Sequence, residues 1–352
     1  MITAKHLTKV YGNFKAVDDL SFTIDEGHIY GFLGPNGAGK STTLNIITGC
    51  LAPTSGDVSI DDLDIYENSK EAKKRIGYLP EIPPLYIDQT PREYLEFVAD
   101  AKKVARKERT NEVERVASET HIEDVLDKPI KYLSKGYRQR VGISQALIGD
   151  PQIVILDEPT VGLDPMQILE IRELIYELGK KHTVILSSHI LSEVQAICDK
   201  VLIIYKGKMV AFDALENLGK TLASGACLEI TCDCDKDTAK EILADISGIT
   251  NIESVNAEEI QDSQDLSQEN TSRFVVHTDS SEIMETTKAV FKAFASRDVV
   301  LYELHQVKTT LEDIFIELTK DDVDSKEHEN IDISKPGEPE NVEEVQSNDC
   351  CA

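Results

Sequence analysis

No apolar run in this 352-residue sequence approaches the length of about 18 residues that a helix needs to cross a bilayer. The segment from Met1 to Lys15 also lacks the apolar core of a secretory signal peptide. The composition otherwise matches that of soluble globular proteins. Together these absences predict a cytoplasmic location.

Positive charge is scarce, because 37 lysine and arginine residues face 64 aspartate and glutamate residues and leave a net charge of −27. A nucleic-acid partner requires a basic face that neutralises phosphates, so we expect no such partner. The segment from Asp321 to Ala352 holds eleven acidic and two basic residues and carries −9 of the charge, which leaves −18 for the rest. Because it also contains Pro336, Gly337 and Pro339 and few apolar residues, we predict a disordered acidic tail over 321–352.

The seven cysteines lack the even number and regular spacing of a disulfide framework. Their scatter favours reduced thiols, which agrees with a cytoplasmic location. Cys232 and Cys234 are spaced too tightly for a usual zinc site, and no second pair accompanies them. We therefore interpret them as part of a strand edge.

The clearest chemical motif runs from Gly34 to Thr42 and fits the pattern G-x-x-x-x-G-K-[ST] at every fixed position. Its residues are Gly34, Pro35, Asn36, Gly37, Ala38, Gly39, Lys40, Ser41 and Thr42. The glycines let backbone N–H groups point into one concavity, Lys40 offers a charge to the outer phosphates, and the Ser41 hydroxyl can ligate Mg²⁺. The run Ile29 to Leu33 predicts a buried strand before the loop, and Thr42 to Thr48 predicts a helix after it. The motif therefore predicts that this loop holds the phosphates of a nucleotide.

Polar side chains follow two other apolar runs that predict buried parallel strands. Asp157 and Glu158 come directly after the run Ile153 to Leu156, and His189 follows the run Thr183 to Leu186 and two serines. Ligands in open α/β sheets bind at the carboxyl ends of the strands. We therefore expect Glu158 and His189 on the same sheet edge as the phosphate loop.

The remaining sequence predicts three further units. Residues 1–24 alternate apolar and polar positions around a turn at Tyr11 to Asn13, which predicts an antiparallel hairpin. Residues 88–148 show helical spacing amid dense charge and predict a helical subdomain, with Ser134 as a helix cap. From about Cys227 the predicted order is β-α-β-β-α-β, the ferredoxin-like arrangement, with a long polar loop over Glu258 to Thr271 and a final helix over Thr310 to Thr319. We expect domain boundaries at 1–220, 221–320 and 321–352.

Taken in order, these motifs resemble those of the nucleotide-binding subunit of ATP-binding cassette (ABC) transporters over about the first 220 residues. Gly34 to Thr42 resembles the Walker A loop, and Ile153 to Glu158 resembles Walker B with its catalytic glutamate. Tyr11 resembles the aromatic that stacks on adenine, Asp164 resembles the aspartate of the D-loop, and His189 resembles the switch histidine. The signature sequence is matched by Ser134, Gly136 and Gln139. The resemblance implies a P-loop NTPase cassette of the α/β class, with a mixed sheet core, an antiparallel β subdomain and a helical subdomain, followed by the small α+β domain.

The resemblance also implies an ATPase that uses ATP and Mg²⁺. Asp157 and Ser41 would hold the ion together with Glu81, which stands where most relatives carry glutamine. Glu158 would act as general base on the attacking water, and His189 would contact the γ-phosphate.

The same resemblance implies that the signature residues act in trans at the site of another subunit, so that ATP joins two cassettes. These are either two copies of this chain or this chain and a paralogue. Hydrolysis would then drive export of a solute through a separate membrane permease. The chain would lie at the cytoplasmic face of the cell membrane.

A soluble cassette ATPase that acts on ribosomes, on DNA or on another non-transport partner is the competing hypothesis. Such proteins usually carry two cassettes or a long coiled-coil insertion, whereas this sequence has one cassette, a short helical insertion and strong acidity. A module that binds nucleotide without hydrolysis fits less well, because Glu158 and His189 are both present. The segment Ile82 to Tyr86 is either part of a surface for the permease or an ordinary loop.

Overall fold

An antiparallel hairpin begins the chain, as the alternating pattern predicts. The computed structural model describes residues 1–215, 217–218, 226–244, 246, 248–255, 271–278 and 283–307. In it, β1 (Ile2–Tyr11) pairs with β2 (Phe14–Ile24), and Gly12 and Asn13 form the turn. The predicted polar loop over 258–271 lies almost wholly outside the described residues, and the final helix over 310–319 and the acidic tail lie entirely outside them.

The hairpin belongs to an antiparallel sheet of four strands. The other two strands are β4 (Ser55–Ile60) and β5 (Leu63–Asp64), and the order is β2-β1-β4-β5. The buried residues of these strands face the central sheet and pack against it.

The central sheet has six strands in the order β10-β9-β3-β8-β7-β6. They are β3 (Ile29–Leu33), β6 (Ile76–Leu79), β7 (Ile153–Leu156), β8 (Thr183–Ser188), β9 (Lys200–Tyr205) and β10 (Lys208–Ala214). Only β10 runs antiparallel, because a hairpin joins it to β9. The carboxyl ends of β3, β6, β7 and β8 therefore meet at one edge of the sheet, as expected for Glu158 and His189.

Both faces of the central sheet are buried, which explains its continuous apolar runs. Ile153 and Ile155 pack on the side of the antiparallel sheet, and Val154 and Leu156 pack on the side of the helices. Full burial of one such side chain contributes about 1.5–3 kcal/mol. The sheet is therefore a rigid platform for the loops at its edge.

Helices connect and cover these strands. Around the sheet lie α1 (Lys40–Ile47), α2 (Ser69–Lys74), α6 (Pro165–Gly179) and α7 (Leu191–Ile197). The predicted helical subdomain contains α3 (Pro91–Ala101), α4 (Arg109–Thr120) and α5 (Lys135–Leu147), with two short 3-10 turns between α4 and α5. The Ser134 hydroxyl accepts a hydrogen bond from the Tyr137 N–H and so caps α5 as predicted.

A second unit with its own core follows. Its elements are β11 (Ala226–Asp233), α8 (Lys236–Ala244), β12 (Ile249–Val255), β13 (Thr271–Thr278), α9 (Ile283–Ser296) and β14 (Leu301–Val307). The strand order β12-β13-β11-β14 is antiparallel throughout and is the ferredoxin-like arrangement that the sequence predicts. Phe274 and Phe294 lie in the core between this sheet and its helices.

Candidate active site

The phosphate loop joins β3 to α1, since Leu33 ends the strand and Lys40 begins the helix. Gly39 precedes the helix with φ of 108°, and a Cβ atom there would lie 2.4 Å from the carbonyl oxygen of Ala16. Only glycine allows this close approach between the loop and the hairpin. No side chain in the described part of the chain caps α1, so its first N–H groups are available to an anion.

Lys40 turns back into the loop and exposes only 5% of its surface. Its ammonium donates to the carbonyl oxygens of Gly34 at 2.7 Å and Pro35 at 3.4 Å. It also lies 3.3 Å from Oε1 of Glu158. The loop therefore holds one positive charge at the place where its motif predicts the outer phosphates.

Asp157 lies beneath the loop at the end of β7. Its Oδ1 accepts hydrogen bonds from the Ser187 hydroxyl at 2.6 Å and the Ser41 hydroxyl at 3.1 Å. Burial raises the pKa of this carboxyl group, and the bonds from Ser187 and Ser41 offset part of that rise. Mg²⁺ prefers hard oxygen ligands and few of them from protein, so the adjacent hydroxyl and carboxylate of Ser41 and Asp157 fit this ion.

Glu158 and His189 form a close pair beside Lys40 of the phosphate loop. Nδ1 of His189 lies 2.8 Å from Oε2 of Glu158, and only 7% of the glutamate is exposed. The backbone of Glu158 has φ of 48°, a left-handed conformation that is unfavourable for a residue with a side chain. The strained turn and the imidazole together fix the direction of the carboxylate.

A cavity of about 500 Å³ lies at the carboxyl edge of the central sheet, between the phosphate loop and the pair of Glu158 and His189. Tyr11, which is half exposed, and Phe14 stand at its outer end on the tip of the hairpin. The remaining lining consists of Ala16, Pro35, Asn36, Gly37, Gly39, Lys40, Ser41, Thr42, Glu81, Glu158, Val161 and His189. The fold therefore brings Tyr11, Glu81, Glu158 and His189 to the phosphate loop from four separate parts of the sequence.

Comparisons with known proteins agree with this geometry. The family model for "ABC transporter" matches residues 17–161. The bacitracin transport ATP-binding protein BcrA of Bacillus licheniformis is 41% identical over 221 residues, which are 61% of this chain and 71% of that protein. This chain belongs to the ABC transporter ATP-binding family. It is therefore an ATPase subunit with the P-loop cassette fold that the sequence predicts.

Other ABC relatives extend the likeness. The linearmycin resistance ATP-binding protein LnrL of Bacillus subtilis is 29% identical and aligns with 91% of this chain and 98% of its own length. Among solved structures, the dimeric post-hydrolysis state of the cassette MJ0796 bound to ADP and Pi matches with a TM-score of 0.55 and 29% identity, covering 61% of this chain and 99% of that one. These ABC relatives favour the transporter hypothesis over the ribosomal one.

The residues that resemble the signature sequence, Ser134, Gly136 and Gln139, do not line the cavity of their own chain. Ser134 is exposed at the start of α5, whereas Gln139 is 7% exposed within that helix. Gly136 packs against Gln167 so closely that a Cβ atom would lie 3.0 Å from its side chain. Asp164 caps α6 by accepting a hydrogen bond from the Gln167 N–H at 2.9 Å. Their action in trans stays a prediction.

The sequence reasoning missed two groups that support the site. Ser187 is fully buried, and its hydroxyl accepts a hydrogen bond from the Glu158 N–H at 2.8 Å while it donates to Asp157. Glu193, 3% exposed on α7, accepts from the hydroxyls of Thr160 at 2.6 Å and Ser188 at 3.1 Å. The Ser187 hydroxyl links β8 to the carboxylate of Asp157 and to the backbone of Glu158. Glu193 links Thr160, after Glu158, to Ser188, before His189. The pair of serines directly before His189 was the only local signal.

No helix among the described residues combines the length and the apolar character needed to span a membrane.

Proposed function

We propose that two cassettes bind two ATP molecules head to tail and that hydrolysis drives export of a solute through a separate membrane permease. The second cassette is another copy of this chain or a paralogue. The observation that carries this proposal is the buried Glu158 carboxylate, which lies between Lys40 and His189 on the wall of the phosphate cavity. A carboxylate so placed can take a proton from a water molecule that attacks the terminal phosphate.

The proposal gives several residues of the cavity a specific role. Glu158 acts as general base, and its bond to Nδ1 of His189 keeps it directed at the attacking water. The other ring nitrogen of His189 is left to meet the γ-phosphate. Lys40 and the N–H groups of α1 hold the phosphates, and Tyr11 stacks on the adenine ring at the outer end of the cavity.

Ser41, Asp157 and Glu81 would hold Mg²⁺ next to the phosphates. When bound, the ion neutralises the charge that develops on the β- and γ-phosphate oxygens. Ser41 and Glu81 line the cavity, and Asp157 reaches it through its hydrogen bond with Ser41. Glutamate at position 81 offers a carboxylate oxygen, so the glutamine of most relatives is not required.

The second half of each site comes from the other cassette. Ser134 is exposed at the N-terminus of α5, and the first N–H groups of a helix have no partner within the helix. Ser134 of the partner subunit would lie against the γ-phosphate together with the N–H of the partner subunit's Gly136. ATP would then bridge two positively polarised helix ends, α1 of one chain and α5 of the other. Hydrolysis removes this bridge and releases the pair.

A groove of about 390 Å³ between the sheet unit and the helical subdomain would receive a short helix of the permease. Its lining includes Pro84, Tyr86, Tyr94 and Phe97, and Tyr86 and Phe97 remain about half exposed at 49% and 50%. Ile82, beside them in the sequence, is 83% exposed. Exposed aromatic and aliphatic side chains around a concave surface are typical of protein-binding sites. This docking would hold the chain at the cytoplasmic face of the membrane.

In this proposal the cassette comprises residues 1–220, the accessory domain residues 221–320 and the acidic tail residues 321–352.

Mixing two inactive variants tests the shared site. Lys40→Ala removes the phosphate-loop ammonium, and Ser134→Asp keeps a side chain that caps α5 but brings a negative charge towards the γ-phosphate. If the site is shared, half of the dimers in an equal mixture are mixed, and each of these contains one intact site. We expect each variant alone to be nearly inactive and the mixture to recover about a quarter of wild-type turnover.

A mixture of Lys40→Ala and Asp157→Asn is the matched control, because both defects lie in the same half of the site and no mixed dimer is repaired. Recovery in the first mixture but not in the second supports two copies acting head to tail. No recovery in either mixture contradicts a site shared between two copies of this chain.

A further inference from the structure

A basic cavity of about 720 Å³ lies between α2 and the C-terminal end of α3, away from the phosphate loop. Its lining contains Lys70, Lys73, Lys74, Lys102 and Lys103 and only one acidic residue, Glu71. Five lysines against one glutamate give a formal charge of +4, in a chain whose net charge is −27. This concentration of lysine is therefore opposite in sign to the protein as a whole.

Two of the five ammonium groups already have partners in the fold. Lys102 donates to the carbonyl oxygens of Gln145, Ala146 and Ile148 at 3.3, 3.1 and 2.7 Å, at the C-terminal end of α5. Lys73 donates to the carbonyl oxygen of Gly49 at 2.9 Å. These bonds hold two positive charges at the cavity wall.

The other three lysines, Lys70, Lys74 and Lys103, are exposed, and no carboxylate in the described part of the chain lies within salt-bridge distance of their ammonium groups. Lys70 and Lys74 come from α2, while Lys103 lies two residues after α3, so the charges face the cavity from two sides. Like charges held on two walls repel each other unless an anion lies between them.

We propose that this cavity binds a phosphate-bearing anion, either the headgroup of an anionic lipid or a free phosphate. Lysine binds phosphate as a point charge, and several lysines around one concavity can share one anion. Ile76, Val104 and Ile148 supply an apolar part of the wall. Burial lowers the pKa of Lys102 to about 8, and a bound anion would favour its charged form.

The position of the cavity gives the anion a structural effect. It shares Lys73, Ile76, Ala101 and Lys102 with the groove proposed for the permease. An anion held by α2 and α3 would also link the sheet unit to the helical subdomain. The nearness to the membrane rests on the proposed function, whereas the anion chemistry rests on the lysines alone.

A triple substitution tests the site in the full chain. Lys70→Gln, Lys74→Gln and Lys103→Gln together remove the three unpaired charges and leave every residue of the permease groove unchanged. The matched control is Lys240→Gln, Lys288→Gln and Lys292→Gln, three exposed lysines of the ferredoxin-like unit. Both sets change the net charge from −27 to −30. ATP turnover should stay at the wild-type level in both, which shows that they fold.

The first measurement is flotation with vesicles of phosphatidylglycerol and phosphatidylcholine, compared with phosphatidylcholine alone. Anionic vesicles repel a chain of net charge −27 unless a local site attracts them. We expect the wild type to bind the anionic vesicles and the triple variant to lose roughly a hundred-fold in partitioning at low salt, from about five-fold for each lysine. The control set should bind as the wild type does.

The second measurement is calorimetric titration with inorganic phosphate in saturating Mg-ADP, which fills the phosphate loop. Phosphate binding that the triple variant loses, without vesicle binding, assigns the site to a free phosphate. Vesicle binding that the triple variant loses assigns it to a lipid headgroup.

Three outcomes overturn the inference. They are binding in neither assay, equal loss of binding in the triple variant and the control set, or a triple variant that keeps vesicle and phosphate binding but no longer binds the permease. The last result would assign the lysines to an acidic segment of the permease. Neither assay measures hydrolysis, so a failure of the anion-site inference is distinguishable from a failure of the proposed catalytic site.

Discussion

Ser187 offers a sharp test of how the fold holds Asp157 and Glu158, the two carboxylates at the end of β7. Its hydroxyl donates to Asp157 at 2.6 Å and accepts from the Glu158 N–H at 2.8 Å, and the side chain is fully buried. Ser187→Ala removes both bonds without adding bulk. The Glu158 N–H then lies buried with one partner fewer.

The structure sets the size of the effect. An unpaired buried donor costs about 1–3 kcal/mol, and the lost bond to a charged acceptor contributes about as much, so we expect a destabilisation of roughly 3 kcal/mol. For a cassette of this size, that corresponds to a fall in Tm of roughly 6–12 °C. Because the turn that carries Glu158 loses an anchor, kcat should also fall, by about ten-fold to a hundred-fold.

Thermal unfolding and steady-state ATP hydrolysis measure the two effects on one preparation. Ser144→Ala is the matched control, because Ser144 is also fully buried and bonds twice, to Thr120 at 2.6 Å and to the Arg140 carbonyl oxygen at 2.8 Å. It should lower Tm to a similar degree and leave kcat within about two-fold. If Ser187→Ala lowers kcat no more than Ser144→Ala does, the hydroxyl does not position the carboxylates and the reasoning is refuted.

Two further predictions concern buried charges. Burial lowers the pKa of Lys102 to about 8 from an ordinary value of 10.5, so the unfolded chain holds this proton more tightly than the folded chain does. As the pH rises from about 8 to 10.5, the wild type should therefore gain on the order of 3 kcal/mol in free energy of unfolding relative to Lys102→Met. Denaturant unfolding measures this difference, and a difference that does not change with pH would contradict the prediction. Glu193→Ala should lower Tm and reduce kcat by at least about ten-fold, because the hydroxyls of Thr160 and Ser188 lose their shared acceptor. Glu193→Gln retains an acceptor oxygen and should keep most of the wild-type kcat. Equal activity in the two variants would contradict a positioning role for Glu193.

Features that depend on local sequence were predictable. The phosphate loop is a contiguous motif, and Glu158 and His189 follow apolar runs that the structure confirms as parallel strands. Period-two alternation located the first hairpin, and the element order located the ferredoxin-like unit. In each case the signal lies in short contiguous stretches of sequence and in the order in which they follow one another.

Features that depend on contacts between distant segments were not predictable. The bonds of Ser187 require β7 and β8 to be neighbours, and the hydroxyls that Glu193 accepts from come from two different segments. The helices α2 and α7 are six and seven residues long and give too little periodicity to detect. The basic cavity joins lysines from α2 with lysines about 30 residues later, so no sequence window contains it.

The most direct test of the central claim is ATP turnover and ATP binding by Glu158→Gln. Glutamine keeps the size of the side chain and an acceptor oxygen for His189 but cannot take a proton from water. We predict that turnover falls by about 10²-fold to 10⁴-fold while ATP still raises Tm as it does in the wild type. Unchanged turnover in a variant that binds ATP would remove Glu158 as the base and contradict the proposed mechanism.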